Sequence, residues 1–182
     1  DGFTLANLTA NLCTLTLLQG LYSASDTLSP QAYGAGNKRE VGNIALRGFV
    51  GRMLGLVPTV ALLDVYGQQF LSFLHEDVES ALEASRYYRL YSLGLPFFAL
   101  YNVTWKFLSA QNVMLPLVIC VALSSGIVLP ASLHLLGGTF LGTAGAVIVF
   151  QAFQAVSLIL YLWYFRPHDP ETWPRNLDWR QA

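Results

Sequence analysis

Leu21-Tyr22-Ser23-Ala24-Ser25-Asp26-Thr27-Leu28-Ser29-Pro30-Gln31-Ala32-Tyr33-Gly34-Ala35-Gly36 closes an apolar segment long enough to cross a membrane. The stretch carries a carboxylate, Asp26, where lipid tolerates few charges. It ends in a Gly-rich turn followed by Lys38 and Arg39. Read outward from here, the chain is one membrane helix around which four more are assembled.

Composition agrees. The 182 residues are 54% hydrophobic and only 12% charged, against about 25% charged in soluble domains. The formal net charge of −1 indicates no polyelectrolyte partner, and nucleic acid is not expected. Cys13 and Cys120 both fall in apolar segments and read as small buried residues, with no disulfide framework or Cys-rich metal motif. His75, His134 and His168 are scattered, so no metal site is expected. The chain does not read as an enzyme. Asp26 and Asp64 are expected at opposite membrane faces and cannot form an aspartyl pair. Gly34-Ala35-Gly36 lacks the Lys-Ser/Thr of a phosphate loop. No cofactor is implied. The triplets Asn7-Leu8-Thr9 and Asn102-Val103-Thr104 lie inside predicted helices and are discounted as glycosylation sites. Asp1-Gly2-Phe3 leads straight into the first apolar run with no signal peptide visible, and the expectation is of an internal fragment.

A membrane helix needs roughly 20 mostly apolar residues. Five stretches qualify, at about 3–33, 44–66, 87–111, 113–136 and 140–165. The fold class is therefore an all-α polytopic membrane protein. Pro58 is placed to kink the second helix, and small residues at the start of the fifth (Gly142, Ala144, Gly145, Ala146) allow close helix approach. A polar, acidic loop is expected over 74–86, and a Pro-broken polar tail over 166–182. With helices alternating, one set of ends holds Lys38, Arg39, Arg47, Arg52, Lys106, Arg166, Arg175 and Arg180; the other holds Arg86 and Arg89. The positive-inside rule puts the first set and the tail in the cytoplasm, and the acidic loop outside or in a lumen.

The first helix is the most polar. At 100° per residue, Asn7, Asn11, Gln19, Tyr22, Asp26, Ser29 and Tyr33 fall in one arc of about 120°. Such a face turns to a protein interior or a water-filled cavity. Asp26 lies about 21 residues past Leu5, or about 31 Å along the helix, near the cytoplasmic boundary. Lys106 is similarly deep in the third helix, so the two are placed to pair. Three roles for Asp26 stay open: a structural or gate-locking pair, proton or cation exchange, and plain interfacial solvation. Asn7, Asn11 and Gln19 sit where a substrate cavity would be, or they bond between helices. Asn102, four residues before Lys106 on the same face, carries the same two readings.

Ser23-Ala24-Ser25-Asp26-Thr27-Leu28 followed by Gln31-Ala32-Tyr33-Gly34-Ala35 resembles the second-helix motif of eukaryotic multidrug and toxic compound extrusion (MATE) transporters. The run from Tyr91 to Pro116 is similar to that family's fourth helix and the turn into its fifth. Glu171-Thr172-Trp173-Pro174 and Trp179-Arg180-Gln181-Ala182 resemble the segment after its sixth helix. Asn112 stands where Gly is frequent, and Pro30 where a small residue is usual. The resemblance implies twelve helices in two six-helix lobes, of which this chain is helices two to six of the amino-terminal lobe. It implies a secondary antiporter, exporting organic cations or xenobiotics in exchange for H+ or Na+, in the plasma or vacuolar membrane. The partners would be the substrate, the bilayer, the missing helix and the second lobe. Asp26, Gln31, Lys106 and Gln111 match the family's positions; the expected substrate and cation pathway is Asn7, Asn11, Gln19, Asp26, Gln31, Asn102 and Lys106. The alternatives are a truncated lobe that binds or regulates a full-length relative, and a lipid-linked flippase of the same superfamily.

Overall fold

The computed structural model describes residues 16–73 and 78–173. These are helical apart from short turns, with no strand among the described residues. In chain order the elements are α1 (Thr16–Gly34), α2 (Lys38–Phe73), α3 (Val78–Ser92), α4 (Leu95–Ala110), α5 (Leu115–Leu123), a π-helical turn (Ser124–Val128), α6 (Leu129–Leu136), α7 (Phe140–Phe165) and a 3-10 turn (Pro170–Thr172). Among the described residues, three stretches are long and apolar enough to cross a membrane: Lys38–Gly67, Leu115–Leu136 and Phe140–Phe165. The chain is an all-α membrane protein.

Local chemistry sets the element ends. Gly36 has φ +78°, a conformation that suits a residue without Cβ, and the Asn37 N–H closes back on the Ala32 carbonyl at 2.9 Å. That turn is tight enough for α2 to begin at Lys38 rather than near residue 44. At 36 residues α2 is about 54 Å long, well beyond a hydrocarbon core of about 30 Å. Arg52 is therefore the fifteenth residue of α2, not a residue of its first turns. The expected third helix is two helices broken at Leu93-Gly94, with α4 opening on Pro96. The expected loop over 74–86 is also corrected. Helix starts at Val78, because Ala81, Ala84, Tyr88 and Tyr91 recur at helical spacing and are buried. The expected fourth helix spans α5 to α6 through the π-helical turn. Pro130 has no N–H for the carbonyl four residues back, and a wider turn just before it accommodates the loss. The fifth helix has the expected bounds.

Two apolar cores hold the bundle. One joins Leu56 of α2, the buried face of α3, and Leu95 and Ala144. The other joins Val41 and Ala45 of α2, Val103 to Ala110 of α4, Leu117 and Cys120 of α5, and Leu158 and Leu162 of α7. Small residues are among the most completely buried: Ala81, Ala99, Ala144, Ala146 and Ala155 expose none of their surface. Close backbone approach maximises dispersion contact where lipid offers no hydrophobic drive to associate.

The α6–α7 corner shows how tight this is. The Thr139 hydroxyl oxygen accepts from the Gly142 N–H at 3.0 Å, and a Cβ on Gly142 would lie 1.7 Å from the Leu136 carbonyl oxygen. We expect Gly142→Ala to cost about 1–3 kcal/mol by overpacking, read as a lower melting temperature of the intact detergent-purified protein. An unchanged melting temperature would refute the contact.

Candidate functional site

Asp26 and Lys106 meet across α1 and α4: Lys106 Nζ donates to Asp26 Oδ1 in an ion pair. Around them is a small cavity of about 240 Å³ lined by Ser25, Ser29, Pro30, Trp105, Ser109 and Ala110. Ser25 and Ser29 are buried while Asp26 is exposed, so the carboxylate points out of the α1 packing face toward the cavity. Pro30 adds a backbone feature. Four residues after Asp26, it has no N–H to give the Asp26 carbonyl, and the helix ladder is interrupted at the residue bearing the charge.

On the other flank of α1 lies a polar cavity of about 580 Å³ against α2. Gln31, Asn37, Glu40 and Arg47 line it, and Ser25 lines both cavities. Arg47 Nη1 donates to Glu40 Oε1 at 3.3 Å, and Asn43 Nδ2 donates to Glu40 Oε2 at 3.4 Å. The structure thus brings Asp26 and Lys106 together and puts Gln31 on the far side of the same helix. Asn102 lines neither cavity; its amide donates to the Phe98 carbonyl of its own helix at 2.7 Å. Asn7 and Asn11 lie outside the described residues, and Gln19 lies on α1 with its side chain outside the description.

The burial of three further polar residues was not expected from the sequence. Arg52 is 2% exposed, with its guanidinium 5.9 Å from the Phe98 ring centroid. Gln151 and Gln154 are both buried on α7, and Gln154 Nε2 donates to Ser124 Oγ in the π-helical turn at 3.0 Å. A Cβ on Gly94 would sit 2.2 Å from the Gln151 amide oxygen, so the α3–α4 break leaves room for that amide. The signal was present: two glutamines three apart in an otherwise apolar helix.

The MatE family model matches residues 1–134. The chain belongs to the MatE family. It is 34% identical over 173 residues to multidrug and toxin extrusion protein 2 of Pongo abelii, covering 93% of this chain and 29% of that protein. It is 31% identical over 186 residues to multidrug and toxin extrusion protein 1 of Rattus norvegicus, covering 98% and 33%. An uncharacterized transporter of Schizosaccharomyces pombe is 32% identical over 176 residues, covering 94% and 32%. The chain therefore spans about a third of the length of these curated relatives. No solved structure matches it.

In this MatE chain the segment after α7 folds back on the Lys38 end of the bundle. Arg166 caps α7 at φ +44°, and Lys38 Nζ meets Asp169 Oδ2 at 2.6 Å. The Gln111 amide oxygen accepts from the Asp169 N–H at 3.0 Å and from the Thr172 hydroxyl at 3.3 Å. Thr172 is fully buried, and the His168 ring lies between Phe107 and Trp173. The Lys38 ammonium, and then the Glu171 N–H, hold the Asp169 carboxyl below the usual carboxylate range. Burial, and then Arg166, hold His168 below the usual imidazole value.

Both shifts carry the same sign. A depressed Asp169 pKa contributes stability above the ordinary carboxylate pKa and loses it as pH falls through the lowered value. A depressed His168 pKa likewise favours the fold when the ring is neutral. A Lys38→Gln/Asp169→Asn double-mutant cycle in melting temperature should show coupling at pH 7 that persists to pH 5. It should weaken as the pH falls below about 4 and vanish only below the lowered Asp169 pKa. Coupling that instead grows on acidification would contradict the assignment.

Proposed function

We propose that this chain is part of a secondary antiporter that exports organic cations or xenobiotics in exchange for H+ or Na+. The observation that carries the reading is the Asp26–Lys106 ion pair between α1 and α4, set in a polar cavity beside a proline-interrupted turn. Family membership and the printed names of the extrusion proteins support it.

The chemistry is competition for one carboxylate. Asp26 is held by an ammonium. A proton arriving on it removes the charge and releases Lys106; Na+ or a cationic substrate would compete with the ammonium by charge. Either event loosens α1 from α4. In the complete protein, with substrate bound between two lobes, such a release would bias a rocking motion between outward- and inward-open states. Gln31 would face the second cavity on the α2 side. Asn7, Asn11 and Gln19, on the same sequence face as Asp26, would line the pathway further along the helix, with Asn102 one turn from Lys106.

The test is export of a radiolabelled quaternary ammonium compound from vesicles containing the full-length protein, driven by an imposed pH or Na+ gradient. Asp26→Asn should lower gradient-driven export by about tenfold or more at equal expression. Lys106→Gln should lower it too, and change its pH dependence by removing the competitor for the carboxylate. Full export by Asp26→Asn at normal expression would take Asp26 out of the mechanism. Responses to one gradient and not the other would name the coupling ion.

A further inference from the structure

Between α2, α4 and α7 runs an apolar groove of about 430 Å³, separate from both polar cavities. Ala45 and Phe49 of α2, Val103 of α4, and Ile159 and Trp163 of α7 form its walls, with Trp173 from the docked segment. Its Thr104 hydroxyl donates to the Leu100 carbonyl at 2.9 Å, within the wall's own helix. The lining therefore offers hydrocarbon contact and almost nothing to a polar ligand. Ile159 and Trp163 are exposed, so the groove opens to the side of the bundle.

The polar recognition sits at one end. Arg39 precedes the groove residues Gly42 and Leu46 by three and seven positions, on the same face of α2. Arg166 follows Trp163 by three positions at the end of α7. The Lys38–Asp169 contact brings these two helix ends together. Arg39 and Arg166 are exposed and make no ion pair among the described residues. Lys38 engages Asp169, and the exposed Glu171 is outnumbered by the two arginines. Trp163 and Trp173, both exposed, are the amphipathic aromatics found at headgroup level.

We propose that this groove binds an acyl chain of an anionic glycerophospholipid, with Arg39 and Arg166 holding its headgroup phosphate. The lipid would come from the leaflet at the Lys38 end of the bundle. The charge balance at that rim favours a headgroup with net negative charge over a zwitterionic one.

Native mass spectrometry of the full-length protein, with phosphatidylglycerol and phosphatidylcholine offered together, tests this. The expected result is retention of phosphatidylglycerol over phosphatidylcholine through delipidation. Arg39→Gln/Arg166→Gln should weaken phosphatidylglycerol retention by about thirty-fold, at about 1 kcal/mol per basic residue, and weaken retention of phosphatidylcholine, whose choline offsets its phosphate charge, by less. Leu46→Trp, which fills the groove, should remove both lipids. Equal retention of the two lipids, or undiminished phosphatidylglycerol on the arginine variant, would overturn the proposal. So would undiminished phosphatidylglycerol on a folded Leu46→Trp. The arginines are exposed, so that variant decides the question even where the tryptophan destabilises the bundle. The assay reads binding and not export, so its outcome stands apart from the antiporter reading.

Discussion

In the hydrocarbon of a bilayer a polar group has no water to return to, and it must find its partner within the protein. Most polar side chains here meet that demand inside their own helix. Asn102, Thr104 and Gln111 each donate to a carbonyl one turn back. Ser85, Ser92 and Ser132 do the same over three residues. Such bonds let a helix carry polar residues without fixing which neighbour it packs against. Specificity then comes from the few bonds that cross between elements. Gln154 reaches Ser124 in the π-helical turn, and Gln111 spends its amide oxygen on the segment after α7. Asp26 and Lys106 are a third such link, and like Lys38 with Asp169 they join two charges.

Magnitude separates that third link from the other two. A fully buried ion pair costs several kcal/mol in desolvation, and losing one partner costs about 3–5 kcal/mol. Such a pair would lock the helices together. Here the Asp26 side chain keeps 46% of its surface exposed and Lys106 keeps 27%. A pair so placed is worth nearer to the 0–1 kcal/mol of exposed pairs. A proton or a competing cation can displace a contact of that size at modest cost. The bonds of Gln111 and Gln154, both in buried side chains, are not exchanged so readily.

The sequence made the fold class, the Gly34–Asn37 turn and the bounds of α7 legible, because each follows from short-range chemistry or one long apolar run. The proximity of Asp26 to Lys106 was legible for a different reason: equal depth on helices running the same way. The start of α3 was not. Val78–Ser92 carries Glu79, Glu83, Arg86 and Arg89, so a hydropathy reading sees a loop where the alanine and tyrosine spacing makes a helix. The burial of Arg52 was equally hidden, since placing it in a first turn assumed that α2 starts near residue 44. Gln151 and Gln154 were passed over because an apolar helix absorbs two amides with little change in its average. Periodicity and hydropathy report on a helix's mean surroundings, whereas these residues are set by one neighbour each.

The short α1–α2 turn ties the charged site to the rest of the bundle. α1 passes into α2 through Ala35 to Asn37 alone, and α2 starts at Lys38, the residue that holds Asp169. Gly36, at φ +78°, sits in that turn between the ion pair on one side and Lys38 on the other. The far side of the turn is fixed by Lys38 to the same segment that Gln111 holds at the end of α4. Lys106 lies on α4 too, five residues before Gln111. The ion pair and the fixed contact thus meet on α4, about one and a half turns apart. Ala32 and Tyr33 of α1 pack against the core that α2, α4, α5 and α7 share, so a shift of α1 away from α4 would also be felt in that core.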